Sequence, residues 1–244
     1  MNNLIIPGWP APAGVHALVT TRQGGVSTGP WASFNLASHV GDDATAVAAN
    51  RALLRQSLPA DPPWLTQVHG ALCVDAGKAR SGVEADASFT RQRGVVCAVL
   101  TADCLPLLFC DRAGSVVAAA HAGWRGLADG ILEASVAAMQ VPPGEILAWM
   151  GAAIGPQAFE VGDEVREAFV SQHTEAAAAF LRHPSSVPGK WLADLYRLAR
   201  IRLARVGVDA VYGGGRCTFS EAESFYSYRR DGVTGRMASL IWLG

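Results

Sequence analysis

Lysine is almost missing from this chain of 244 residues, in which Lys78 and Lys190 stand alone among twenty basic residues. The rest of the positive charge is arginine, whose planar fork suits oxyanions but also serves as ordinary surface charge. The formal net charge is −1, so overall charge draws the chain to no nucleic acid. No uninterrupted apolar run is long enough for a bilayer, because Val95 to Cys110 is broken by Thr101, Asp103 and Pro106; no membrane association is expected. Met1 to Pro10 has no basic start, and Leu4 to Ile6 is too short for a signal peptide. The five cysteines, at 73, 97, 104, 110 and 217, are odd in number and form no CxxC pair, which does not fit a disulfide framework. A reducing cytoplasm is the expected location. The six histidines include no His-x-His pair, which argues against the many-histidine sites of a multicopper oxidase.

What is present is enough apolar material for a sizeable core, since half of the residues are hydrophobic and 17% charged. One compact domain over residues 1–244 is expected, with no internal repeat and no linker. The centre, Gly94 to Gly126, holds three apolar runs separated by polar breaks, the pattern of buried strands. Strands are also expected at Val15 to Thr20, Trp64 to Val68, Ala71 to Val74, Ile146 to Ile154, Val208 to Tyr212 and Met237 to Leu243. Helical spacing runs from a cap at Asp42 or Asp43 to about Leu58, after Gly126 as far as Pro142, over Val161 to Val170, over Glu175 to Leu181, and from Trp191 to about Leu203. A Pro- and Ser-rich loop spans His183 to Gly189.

The strand ends carry the chemistry. His69 precedes Gly70, Cys104 follows Asp103 in the first break, and His121 ends the third run just before Gly123, Trp124 and Arg125. Two imidazoles and a thiolate are good zinc donors, and three protein ligands leave a fourth position for water or substrate. The gaps match no compact metal motif. Two other readings stay open: Cys104 as nucleophile with His121 as base and Asp103 or Asp86 as orienting carboxylate, and Cys104 as a buried structural thiol. Arg22 lies beside two glycines in a long loop, and Arg125 stands near the helix start at Gly126, where free N–H groups favour an anion.

Read in order, TTRQGGVS, FNLASHVGDD, QVHG, ADAS, TADCLPLLF, HAGWRG, IGPQAFEVG, FYSYRRDG and TGRMAS resemble the YfiH-type purine nucleoside phosphorylase family, earlier labelled multicopper polyphenol oxidase or laccase-domain proteins. The resemblance covers nearly the whole chain. It implies an α/β fold of layered, mixed sheets with flanking helices, and a metal site of His69, Cys104 and His121 that also serve catalysis, with zinc as cofactor and copper as a possible substitute. The activities it implies are phosphorolysis of adenosine, inosine and guanosine, splitting of methylthioadenosine, and adenosine deamination. Purine nucleosides and phosphate are thus the expected partners, and no protein partner is indicated. Arg22, Arg125 and Arg229 are the candidate phosphate contacts, while Phe34, Trp124, Phe225 and Tyr228 are candidates to stack on the purine. An alternative drawn from bacterial relatives is removal of misincorporated L-serine from a peptidoglycan precursor. Gly215, where an acidic residue is expected in close relatives, and the lack of a cysteine over Gly151 to Ala158 depart from the family pattern.

Overall fold

The structure, a computed structural model, describes residues 4–182 and 188–244. In chain order it runs β1 (Val15–Val19), α1 (Ala44–Arg55), β2 (Cys73–Asp75), β3 (Ala87–Thr90), β4 (Val96–Thr101), β5 (Leu105–Asp111), β6 (Val117–Ala122), α2 (Trp124–Asp129), α3 (Ile131–Met139) and β7 (Ile146–Met150). It continues with β8 (Glu160–Gly162), α4 (Asp163–Val170), β9 (Phe180–Arg182), β10 (Lys190–Ala193), α5 (Leu195–Arg205), β11 (Ala210–Gly213), α6 (Tyr228–Asp231) and β12 (Met237–Leu243). A six-stranded mixed sheet has the order β11-β7-β5-β6-β3-β2, and two three-stranded sheets have the orders β1-β12-β4 and β8-β10-β9. This is the α/β architecture of mixed sheets and flanking helices expected from the sequence.

Alternation along the strands builds the layers. Val96, Ala98 and Leu100 of β4 face Phe34, Leu36 and Leu54, so α1 and its preceding loop cover one side of the β1-β12-β4 sheet. The intervening Cys97 and Val99 face Leu108, Cys110, Val117 and Leu147 of the large sheet. On that sheet's far side, Leu105, Leu107 and Phe109 meet α2, α3 and α5 through Leu127, Ile131, Leu132, Leu198 and Leu203. β5 is therefore buried on both faces, which is why it reads as a continuous apolar run rather than an alternating one. Pro106 is tolerated in β5 because it sits opposite His121, whose own N–H turns away to Asp86 O at 2.7 Å. Pro106 keeps its carbonyl in use, accepting from Gly151 N.

Some local expectations change. Trp64 to Val68 is not a strand but an irregular segment held by one bridge, Thr66 to Glu84. Trp191 lies in β10, with α5 starting after the Asp194 cap, which accepts from Arg197 N. The Ala-rich Glu175 segment forms a 3₁₀ helix, Thr174–Ala179, that passes into β9. Asp43 supplies the cap of α1, accepting from Ala46 N, because Asp42 is engaged by Ser27 and Asn35. The expected loop at His183 to Gly189 lies outside the described residues from 183 to 187.

The helix after the central strands is broken in two by Gly130, which is left-handed at φ 97°. A Cβ there would make only ordinary contacts, with Arg202 Nη2 at 3.6 Å and Glu133 Oε2 at 3.7 Å. Backbone conformation therefore sets the cost of a side chain. Gly130→Ala is expected to lower stability by about 1–2 kcal/mol, the usual cost of a left-handed L-residue, read as a lower urea midpoint. An unchanged midpoint would contradict the assignment.

Candidate metal centre

Three chain segments bring His69, Cys104 and His121 together, and their ligand atoms all lie within 4.8 Å of one another. Cys104 is the residue just before β5, and His121 is next to last in β6, so adjacent strands place them. His69 arrives differently, from a loop turn with φ 61°, a conformation unfavourable for a side-chain-bearing residue. Its Nε2 lies 3.7 Å from Cys104 Sγ, and its ring meets that of His121 edge-on with centroids 4.8 Å apart.

Asp86 holds this arrangement. It is fully buried, and its carboxylate accepts from three consecutive backbone N–H groups, Val68 at 3.1 Å, His69 at 2.9 Å and Gly70 at 2.8 Å. The same Oδ1 lies 2.8 Å from His121 Nδ1. Burial alone would raise the Asp86 pKa, but the hydrogen bonds from His121, Gly70 and Val68 hold it below the usual carboxylate range. A carboxylate on Nδ1 makes that nitrogen the donor and leaves Nε2 as the free ligand atom of His121.

The two glycines after His121 are required by close approach. A Cβ on Gly123 would lie 2.6 Å from His69 Cδ2 and 3.1 Å from Cys104 Sγ, and one on Gly126 would lie 2.7 Å from Gly70 O. The start of α2 thus packs directly on the turn that carries His69. Burial by itself would raise the Cys104 pKa, yet the His121 charge and hydrogen bonds from both histidines bring it down to about 6. Burial would lower that of His121, but Cys104 and Asp86 hold it at about 9. Without metal the set thus favours a Cys104 thiolate beside a protonated His121, and a bound metal takes the place of the His121 Nε2 proton.

These donors fit zinc. Bond lengths of about 2.0–2.3 Å separate the donors of a tetrahedral site by roughly 3.3–3.6 Å, and the 3.7 Å between Sγ and Nε2 is close to that. A cavity of about 370 Å³ opens over the three ligands, lined also by His39, Gln67, Leu100, Tyr228 and Arg236. A larger cavity of about 760 Å³, beside Tyr196 and Cys217, contains none of them.

The arginine expectations fare differently from the ligands, for none of the three lines the metal cavity. Arg22 spends its guanidinium on Ala32 O and Ala222 O and lies over the Tyr226 ring. Arg125 is exposed and stacks on Trp124, while Gly126 lies within α2 rather than at its start. Arg229 donates its side chain to Glu160 O, and its backbone N–H reaches Asp103 Oδ2. Phe34 and Phe225 are fully buried core residues, and Trp124 packs against the main core. Among the four proposed stacking residues, Tyr228 alone lines the cavity, with 61% of its surface exposed. Asp103 does not orient His121. It shapes the turn before Cys104, at φ 88°, by accepting from Thr218 Oγ1 and Arg229 N. Arg236 and His39 are not singled out for this site in the sequence, although each lies in a run that carries the resemblance, TGRMAS and FNLASHVGDD.

Residues 16–244 match the family described as multi-copper polyphenol oxidoreductase laccase. A purine nucleoside phosphorylase of Pseudomonas aeruginosa, PA4543, is 59% identical over all of this chain and 99% of its own. The purine nucleoside phosphorylase YfiH of Escherichia coli K12 is 55% identical, with both chains covered completely. The chain belongs to the YfiH-type purine nucleoside phosphorylase family. Among solved members of its fold, Neisseria meningitidis protein NMB0706 superposes with a TM-score of 0.94 at 55% identity, covering 99% of each chain. YlmD from Geobacillus stearothermophilus superposes with 0.88 at 35% identity, covering 97% of this chain and 94% of that one. A YfiH-type scaffold therefore carries the ligand cluster.

Two substitutions separate ligand positioning from folding. Asp86→Asn should weaken zinc binding by about 10–100-fold, the usual effect of losing a carboxylate behind a ligating histidine, measured by competition with a chromogenic chelator. Gly123→Ala should lose zinc while keeping the far-UV circular dichroism of the parent, since its Cβ collides with ligand atoms rather than with the core. Full zinc retention by either variant would contradict the geometry described.

Proposed function

We propose that the protein is a zinc-dependent purine nucleoside phosphorylase of the cytoplasm. Its proposed substrates are adenosine, inosine, guanosine and methylthioadenosine, with adenosine deamination at the same centre. One observation carries the reading: an open two-imidazole, one-thiolate set lies under a cavity in a chain 59% identical to a named purine nucleoside phosphorylase. The whole chain, residues 1–244, is read as one catalytic unit. Its five free cysteines and the lack, among the described residues, of a helix long and apolar enough to cross a membrane are compatible with that setting.

His69, Cys104 and His121 would hold the ion, with Asp86 fixing the His121 tautomer. When bound, zinc supplies a Lewis acid and lowers the pKa of a coordinated water toward about 7. Phosphorolysis needs a phosphate oxygen to bond to the anomeric carbon as the carbon–nitrogen bond breaks, with the electron pair leaving on the purine. The chain's contribution is to hold phosphate and sugar together in that line. Tyr228 offers its exposed ring to the base.

Copper suits the same donors, so metal exchange at this centre is compatible with the reading. A multicopper oxidase is not, because among the described residues the other histidines do not join Cys, Asp or Glu in a further ligand cluster. Metal-replete protein should convert inosine and phosphate into hypoxanthine and ribose 1-phosphate, with Cys104→Ala and His121→Ala losing both zinc and turnover by at least about 100-fold. Release of serine from a muramyl precursor, with no base released from inosine, would overturn the phosphorylase in favour of the editing hydrolase.

A further inference from the structure

With Arg22, Arg125 and Arg229 outside the metal cavity, the phosphate needs another cationic partner. Arg236 lines the cavity together with all three ligands. It enters from the turn just before β12, and its Nη1 donates to Thr234 O at 2.9 Å and Gly235 O at 3.0 Å. Those bonds fix the guanidinium without exhausting it. Nε and Nη2 have no hydrogen-bond acceptor among the described residues, and neither atom is a sealed, unsatisfied donor. The Arg236 guanidinium lies 5.8 Å from the Tyr228 ring centroid, which places it next to the exposed aromatic face.

The surroundings agree in sign. Burial lowers the pKa of His39, the neighbouring cavity residue, and Arg236 and Arg51 lower it further. Arg51 is tied by Nε to Leu36 O and lies over the Trp64 ring at 4.5 Å. Thus two guanidinium charges act on His39 at the cavity wall, while burial lowers the Arg236 pKa and Cys104, Asp103 and Tyr228 raise it. Zinc bound to Cys104 would neutralise part of that negative charge, leaving Arg236 for an incoming anion.

We propose that Arg236 is the phosphate-binding residue of this site, presenting Nε and Nη2 to two oxygens of inorganic phosphate beside the metal ligands. The choice of phosphate among oxyanions rests on the phosphorylase reading above. The arginine fork matches phosphate in a paired geometry that a lysine ammonium does not reproduce. Arg236 is thus a substrate-binding residue, and Tyr228 flanks it on the side where the nucleoside base would lie.

Calorimetric titration of the zinc-loaded protein with inorganic phosphate tests this without turnover. Arg236→Ala should weaken phosphate binding by about 10–100-fold, the loss expected for charge-assisted hydrogen bonds. Arg236→Lys, which keeps charge but loses the fork, should recover only part of it, and Arg125→Ala should bind as the parent does. Zinc content and the urea midpoint of each variant report whether the Thr234–Gly235 turn survives; Arg236→Lys carries the test if the alanine variant does not fold. Parent-like phosphate binding by a folded Arg236→Ala, no phosphate binding by the parent, or a loss that follows Arg125 instead would each overturn the assignment. The two readings separate in the outcome. Nucleoside phosphorolysis with an unchanged phosphate KM in Arg236→Ala removes Arg236 and keeps the phosphorylase. An Arg236-dependent phosphate site in a protein that splits no nucleoside does the reverse.

Discussion

A buried carboxylate between a strained turn and a histidine ring sets the terms for this protein's chemistry. Asp86 accepts three successive backbone N–H groups of the His69 turn and also contacts His121 Nδ1. Its backbone carbonyl takes the N–H of His121 at 2.7 Å. One residue therefore fixes two ligands, one by stabilising a left-handed backbone and the other by tautomer and position. Without such compensation, a charged group this deeply buried would be costly. With it, the charge is spread over four donors.

The layers explain why that residue can be rigid. Asp86 immediately precedes β3, which pairs with β6, and β6 pairs with β5. His121 and Cys104 are consequently carried by the middle of the large sheet, between the helical layer and the β1-β12-β4 sheet. The turn around His69 lies outside the sheet, and it is clasped on one side by Asp86 and on the other by Gly126. Cavity residues Tyr228 and Arg236 come from a late stretch of sequence, so the proposed substrate contacts and the proposed metal ligands are supplied by separate segments.

Much of this was legible in the sequence where local pattern and burial agree. β4, β5 and β6 were readable as apolar runs bounded by Asp, Gly and Pro, and a cap at Asp42 or Asp43 followed from their place before an amphipathic stretch, the structure choosing Asp43. Cys104 and His121 at the edges of those runs could be named, but spacing alone did not choose between metal ligand, nucleophile and structural thiol; the family resemblance did. His69 was named for a reason that does not hold, since no strand delivers it. Its position depends on hydrogen bonds to a carboxylate 17 residues away, which no local period encodes. The arginines show the same limit. Arg22, Arg125 and Arg229 stand in conspicuous glycine-rich or aromatic contexts, yet their guanidinium groups are used for backbone carbonyls or aromatic faces. Arg236 lies in TGRMAS, one of the runs that carry the resemblance, but no local pattern marks its chemistry, and the turn just before β12 brings it to the cavity.

Trp191 makes a related point. Its spacing continues the apolar stripe of α5, but Asp194 caps that helix and leaves Trp191 to pair in β10. A side-chain cap thus overrides a hydrophobic period, as a carboxylate contact overrides a turn's intrinsic preference at His69. Both are polar contacts that decide where an element begins or how a residue is aimed.

The most direct measurement of the central claim is the anomalous scattering of the zinc-loaded crystal, collected on either side of the zinc absorption edge. One zinc peak is expected within about 2.0–2.3 Å of His121 Nε2, Cys104 Sγ and the His69 imidazole, with the Asp86 carboxylate still on His121 Nδ1. A peak at His121 Nδ1, a peak away from these residues, or no zinc at the three ligands would contradict it.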